Sequence, residues 1–261
     1  MRDTDLMMTG EREKELMSAA GMLLDARRTN TPIDDLPAAV RPVTLEEAYF
    51  IQDRLALAYG EIGGWKVGAP TADATPMFAP MPRAWIASNN AELGGRHRFR
   101  GLEAEIAFLM GKDLPPREKA YSREEVVAAI ASCHPAIEVI ESGLTDPLKA
   151  EKLSMIADLQ MHGAFVYGAA VANWQRIDFL KEHVTLAVDG VVRVERTGSN
   201  TSGDLMRLLP WLANEGAART GGLKAGQWVT TGSWTGLSLG TAGSCVDVHF
   251  STAGEADLRF E

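Results

Sequence analysis

The chain has 261 residues, 46% of them hydrophobic and 23% charged, with a formal net charge of -9. This balance excludes a fibrous or disordered protein and predicts one packed core, or one core with a small appendage. So acidic a chain, whose basic residues cluster no further than Arg96, Arg98 and Arg100, lacks the concentrated positive charge that nucleic-acid binding requires.

Two cysteines, Cys133 and Cys245, are too few for a disulfide framework or a cysteine zinc site. The opening stretch MRDTDLMMTGEREKEL is charged where a secretory leader would be apolar, and no run approaches the roughly 18 apolar residues of a membrane span. The expected location is the cytoplasm. An anionic substrate would need a locally positive site, which a bound cation and a lysine could supply.

In chain order, Leu16, Ala20, Leu23 and Leu24 recur at the spacing of one helix face and predict a helix over about residues 11–28. Thr44 and Glu47 form a capping-box pattern ahead of Ala48, Ile51, Leu55 and Ala58, predicting a second helix that ends near Gly60. We read residues 1–62 as an N-terminal helical segment appended to the main domain, 63–261. From Gly63 onward short apolar runs alternate with Gly and Pro, the pattern of strands and turns. Lys66 sits among them in Gly63-Gly64-Trp65-Lys66-Val67-Gly68, where glycines such as Gly68 permit close backbone approach of a ligand. Lys66 there either binds an anion or snorkels to solvent.

The next segment, Leu102-Glu103-Ala104-Glu105-Ile106-Ala107-Phe108, alternates, so a strand would set Glu103 and Glu105 side by side on one face. That face is either solvated or bound to a cation that relieves the repulsion. A helix capped by Ser122 and Glu125 follows. Glu138 lies in the apolar run Ala136-Ile137-Glu138-Val139-Ile140, the pattern of a strand buried on both faces. A carboxylate there needs a proton, a buried cationic partner or a metal.

Val188-Asp189-Gly190-Val191 predicts a hairpin turn. Leu205, Leu208, Leu209 and Leu212 predict a late helix that Pro210 kinks or delimits. Thr230-Thr231-Gly232-Ser233 is either a strand end or a hydroxyl-rich anion contact through Thr231 and Ser233. Three oxygen donors without a His or Cys cluster suit a hard ion such as Mg²⁺ or Mn²⁺ better than zinc. The five histidines are scattered, His162 being the one held in reserve as a ligand. The sequence has no G-x-S-x-G elbow, no phosphate-binding G-x-x-x-x-G-K-[ST] loop and no G-x-G-x-x-G after a strand.

The ordered set Gly64-Trp65-Lys66-Val67-Gly68, Glu103-Ala104-Glu105-Ile106-Ala107-Phe108, Pro135-Ala136-Ile137-Glu138, Ile156-Ala157-Asp158, Gly163-Ala164-Phe165-Val166 and Thr231-Gly232-Ser233 resembles the fumarylacetoacetate hydrolase superfamily, closest to its 2-keto-4-pentenoate hydratase and 4-oxalocrotonate decarboxylase branch. The resemblance implies an α+β fold, a mixed β-roll with the N-terminal helical segment attached. It also implies a homo-oligomer, Mg²⁺ or Mn²⁺ on Glu103, Glu105 and Glu138, Lys66 at the active site, and Gly68, Asp158, Thr231 and Ser233 near substrate. The implied activity is a hydratase-type lyase of a small 2-oxo or enol acid. A decarboxylase, an acylpyruvate-type C–C hydrolase and a non-catalytic metal- and oxo-acid-binding relative are the alternatives. The chain departs from the family at 69–82, where a Gly-Val-Asp segment is replaced, at Asp158-Leu159, where Asp-Asn is usual, and at Glu141-Ser142-Gly143, where Asp-Ser-Arg is common.

Overall fold

The computed structural model describes residues 10–261, so most of the opening stretch read above for a leader lies outside the described residues. The chain divides into two units: residues through Tyr59 together with Ser142–Met161, and Gly60–Glu141 together with His162–Glu261. No helix among the described residues is long and apolar enough to cross a membrane.

The first unit is built on α1 (Gly10–Thr29) and α2 (Leu45–Tyr59). Leu16, Ala20 and Leu23 are buried on α1 as the periodicity predicts, and Ala48, Ile51 and Leu55 on α2, whereas Leu24 is half-buried and Ala58 exposed. At the start of α2 the Thr44 hydroxyl accepts from the Glu47 amide at 3.2 Å, and the Glu47 carboxylate reaches back to the backbone of Thr44 and Val43 and pairs with Arg12.

Where the sequence places one break near residue 62, the structure also takes Ser142–Met161 out of the second unit. The reason is polar as well as apolar. Gln52 donates to the Ile156 carbonyl at 2.6 Å, Ile33 bridges Leu144, and the short helix Lys152–Ala157 buries Ile156 and Ala157. Asp158, fully buried, accepts from Arg27 and from the Ser142 hydroxyl at 2.5 Å each and from the Gly143 amide at 2.8 Å. Breaking such a buried pair leaves an uncompensated charge and costs about 3–5 kcal/mol. Arg27, Ser142 and Gly143 thus take up the Asp158 carboxylate within the first unit.

The second unit consists of two sheets. Its strands, in chain order, are β1 (Ile62–Gly68), β2 (Met77–Pro82), β3 (Ile86–Ser88), β4 (Ala91–Leu93), β5 (Gly101–Met110), β6 (Ile130–Ile140), β7 (His162–Tyr167), β8 (His183–Val188), β9 (Val191–Thr197), β10 (Trp228–Thr230), β11 (Ser238–Leu239), β12 (Cys245–Phe250) and β13 (Gly254–Phe260). The larger sheet runs β2-β1-β10-β5-β6-β7-β3, with β11 paired to β5, and the smaller runs β4-β13-β12-β8-β9. Both mix parallel and antiparallel pairs, as in β1 with β10 and β5 with β6. This is an α+β fold.

Local signals hold in this unit. Ser122 and Glu125 form a capping box, and Asp189 and Gly190 take φ of 53° and 73° in the β8–β9 turn. Around Pro210, which has no amide hydrogen to give, the late helix is a succession of 3-10, α and π segments between Leu205 and Thr220.

Register decides which residues share a face of the larger sheet. Lys66 is opposite Thr230, Thr230 opposite Ala107, Glu105 opposite Ala136, Glu103 opposite Glu138, and Glu138 opposite Phe165. Paired residues point the same way. One face therefore carries Lys66, Thr230 and the three glutamates beside an apolar cluster of Met81, Ala107, Ala136, Phe165 and Trp228. The other face carries Trp65, Val67, Val229, Ile106, Phe108, Ile137 and Val139, all buried.

Candidate metal centre

Neighbouring strands β1, β10, β5 and β6 bring Lys66, Glu103, Glu105 and Glu138 together. The close approach of β1 to β10 depends on Gly64: a Cβ there would stand 2.6 Å from the Trp228 carbonyl oxygen, too near for any other residue. Each of the three glutamates offers an oxygen within 4.8 Å of the other two. Glu138 is 0% and Glu105 1% exposed, and Glu103 is half-buried, so the face is not a solvated acidic one. Like charges directly across two strands are destabilising even in the open, and here Glu103 faces Glu138 inside the sheet.

The partners of these carboxylates are unequal. Lys66 Nζ lies 2.7 Å from Glu138 Oε1, and His162 Nδ1, at the start of β7, donates to the same oxygen at 2.9 Å. Glu138 Oε2 is buried with no hydrogen-bond partner among the described residues. Glu105 Oε2 accepts from the Thr230 hydroxyl and, at 3.0 Å, from the Gly232 amide. Gly232 presents that amide at φ +86°, a conformation that costs glycine little. The Ser233 hydroxyl hydrogen-bonds Glu103.

Electrostatics follow the same inequality. Burial lifts the Glu103 carboxyl to about 6, with the Glu138 charge adding to it and Lys66 and Ser233 working against it. Burial, then the charges of Glu138 and Glu103, push Glu105 well above the ordinary range. For Glu138 burial acts upward too, but Lys66 and His162 outweigh it and hold the acid below its ordinary value. Burial would depress Lys66, yet the charges of Glu138, Glu103 and Glu105 prevail and keep it an ammonium. One lysine cannot neutralise three carboxylates. A buried, partnerless oxygen beside two carboxyls that resist ionisation is the arrangement a hard divalent cation would complete, and the all-oxygen donor set suits Mg²⁺ or Mn²⁺.

The sign of the pH dependence is fixed by these shifts. Glu103 and Glu105 bind protons more tightly folded than unfolded, so their favourable contribution to stability is present below the ordinary 4.5 and is lost as pH rises through about 6 for Glu103. A cation needs the deprotonated forms. Saturating Mg²⁺ should therefore raise the melting temperature more at about pH 7.5 than at about pH 5. Equal shifts at the two pH values, measured by thermal denaturation, would contradict this.

Of the other residues singled out in the sequence, Gly68 ends β1 with its Cα 3.5 Å from the Cβ position of Gly232, and Ser233 reaches Glu103. Thr231 does neither: its hydroxyl donates to the Ile106 carbonyl at 2.7 Å, and Thr230, one residue earlier, is the threonine on the carboxylate face. The alternation of a strand end decides between the two hydroxyls, and the sequence does not fix its phase. His162 joins the centre through an irregularity in the β6–β7 register, after Val139. No sequence spacing announces it.

No family model matches the chain. It is 27% identical to the 2-hydroxyhexa-2,4-dienoate hydratase of Comamonas testosteroni over 263 aligned residues, 95% of this chain and 98% of that protein. Its fold superposes on 4-oxalocrotonate decarboxylase from Pseudomonas putida G7, complexed with magnesium and adipate, at a TM-score of 0.82 and 22% identity, covering 95% of this chain and 98% of that one. A fumarylacetoacetate hydrolase family protein from Yersinia pestis CO92 shares the fold more distantly, at a TM-score of 0.55 and 16% identity over 76% of this chain and 91% of that one. Along nearly its whole length the chain is therefore similar in sequence to a dienoate hydratase, and it shares the fold of 4-oxalocrotonate decarboxylase.

Proposed function

We propose that the chain is a divalent-metal-dependent lyase of small 2-oxo and enol acids, and specifically a hydratase that turns a 2-hydroxy-2,4-dienoate into a 4-hydroxy-2-oxo acid. The observation that carries this reading is the convergence of Glu103, Glu105 and Glu138 beside Lys66 on one buried sheet face. Kinship with a dienoate hydratase along nearly the whole chain supports the choice of reaction.

Mg²⁺ or Mn²⁺ held by the three glutamates would supply a fixed positive charge opposite the substrate oxygen on which negative charge accumulates. In the reaction the 2-hydroxyl proton leaves and a proton is added at C5, giving a 2-oxo-3-enoate. Water then adds across C3 and C4, its oxygen to C4 and a hydrogen to C3. Lys66, held as an ammonium, serves as a second fixed charge for the substrate's anionic end and not as the base. Gly68 and Ser233 border the centre and are assigned to substrate binding, and the apolar cluster around Phe165 and Trp228 offers a dry wall for the hydrocarbon part.

The test follows the loss of dienol absorbance of 2-hydroxypenta-2,4-dienoate with added MgCl₂ or MnCl₂, and identifies the product by NMR. Turnover of about 1 s⁻¹ or more, abolished by chelation, is expected. Turnover that survives exhaustive chelation overturns the metal reading, and release of CO₂ from a 2-oxo diacid in place of hydration moves the reaction to decarboxylation.

A further inference from the structure

All three glutamates have an oxygen already engaged by the protein, that of Glu103 by the Ser233 hydroxyl. Glu105 Oε2 is taken by the Thr230 hydroxyl and the Gly232 amide, and Glu138 Oε1 by Lys66 and His162. Each therefore has its other oxygen to offer a cation, and for Glu138 that oxygen is buried and without a hydrogen-bond partner among the described residues. The two donors on Glu138 Oε1 differ in kind. Lys66 is a point charge on a four-carbon stem with many rotamers. His162 is 0% exposed, its ring stacks on Trp85 at a centroid distance of 5.9 Å and an interplanar angle of 30°, and the Arg96 guanidinium lies 4.6 Å over the same Trp85 ring while donating to the Gly163 carbonyl. The imidazole is fixed in place, so it fixes the plane of the carboxylate.

Resting on the metal reading above, we propose that His162 is a positioning residue that restricts Glu138 to a single donor oxygen and thereby sets the centre's preference for Mg²⁺ over Ca²⁺. The physical basis is the size of the two ions. Ca²⁺ fills a shell of six to eight oxygens, for which a two-oxygen carboxylate is well suited, whereas Mg²⁺ demands a near-octahedral shell at about 2.1 Å that such a carboxylate distorts. A carboxylate with one oxygen pinned cannot pivot to offer both.

The experiment is calorimetric titration of chelator-stripped full-length protein with MgCl₂ and with CaCl₂, comparing wild type, His162→Phe and His162→Asn. Phe keeps a ring against Trp85 and loses the donor; Asn carries an amide nitrogen close to the place of Nδ1. We expect His162→Phe to lose about ten- to a hundredfold in Mg²⁺ affinity while Ca²⁺ affinity changes less than about threefold, and His162→Asn to recover most of the difference. Equal losses for both ions, an unchanged ratio, or failure of Asn to restore the ratio would overturn the proposal, since a merely structural histidine weakens both ions together. If His162→Phe does not fold, His162→Leu is compared with His162→Asn on the same ratio. A wild type that binds neither ion overturns the metal reading as well, whereas a wild type that binds Mg²⁺ with a ratio indifferent to His162 overturns this inference alone.

Discussion

A Glu138→Gln variant is expected to lose at least about 10³-fold in kcat/KM for the dienoate, because it removes a donor to the ion that carries the electrostatic stabilisation. The amide cannot stand in for the carboxylate in either orientation. Lys66 and His162 both present donors to the Oε1 position, so the carbonyl oxygen must sit there, which puts the NH₂ group at the buried, partnerless Oε2 position that we assign to the cation. A donor aimed at a cation repels it. In the absence of metal the same substitution breaks the buried pair with Lys66 while it relieves the repulsion on Glu103 and Glu105, so the unliganded protein should melt several degrees below wild type. The metal-dependent rise in melting temperature should disappear. Steady-state kinetics with paired melts, with and without Mg²⁺, check both halves; activity retained within about tenfold would mean that Glu138 is not a ligand.

How far the sequence reaches is seen in these residues. Alternation correctly pairs Glu103 with Glu105 on one side of β5, and the apolar run around Glu138 correctly marks a strand buried on both faces. Both are period-2 signals, local and strong. What alternation could not give is the cross-strand register that sets Glu103 against Glu138, nor the burial that rules out a solvated acidic face. Register is a property of pairs of strands far apart in the chain, and here Glu103 and Glu138 are 35 positions apart. The placements of Thr231 and Asp158 have the same origin. Thr231 was singled out where Thr230 faces the carboxylates, a shift of one residue that reverses the face. Asp158 was singled out by family resemblance, but its carboxylate is filled by Arg27, Ser142 and Gly143, and Ser142–Met161 joins the N-terminal helices through long-range bonds that no local pattern encodes.

Lys66→Met should separate substrate binding from metal binding, with opposite signs for the two. The variant keeps the length of the stem and loses the charge that we assign to the substrate's anionic end, so kcat/KM should fall about 10²-fold or more. A fall mainly through KM would mean that Lys66 binds ground state and transition state alike; a fall in kcat would mean that it meets charge that develops only during the reaction. Metal affinity should move the other way. Lys66 stands against Glu138 Oε1 and interacts with Glu103 and Glu105, so in the free protein it competes with the cation for the same negative field. Removing it leaves three crowded carboxylates with a greater need of an ion, and Mg²⁺ should bind about tenfold tighter or more, with a larger thermal shift on binding. Lys66→Arg is not expected to restore activity, because a planar guanidinium does not fit where a compact ammonium lies 2.7 Å from one oxygen of a fully buried glutamate. If Mg²⁺ affinity instead falls together with activity in Lys66→Met, the lysine is part of what builds the metal centre, and the positive group that receives the substrate's carboxylate must be sought elsewhere.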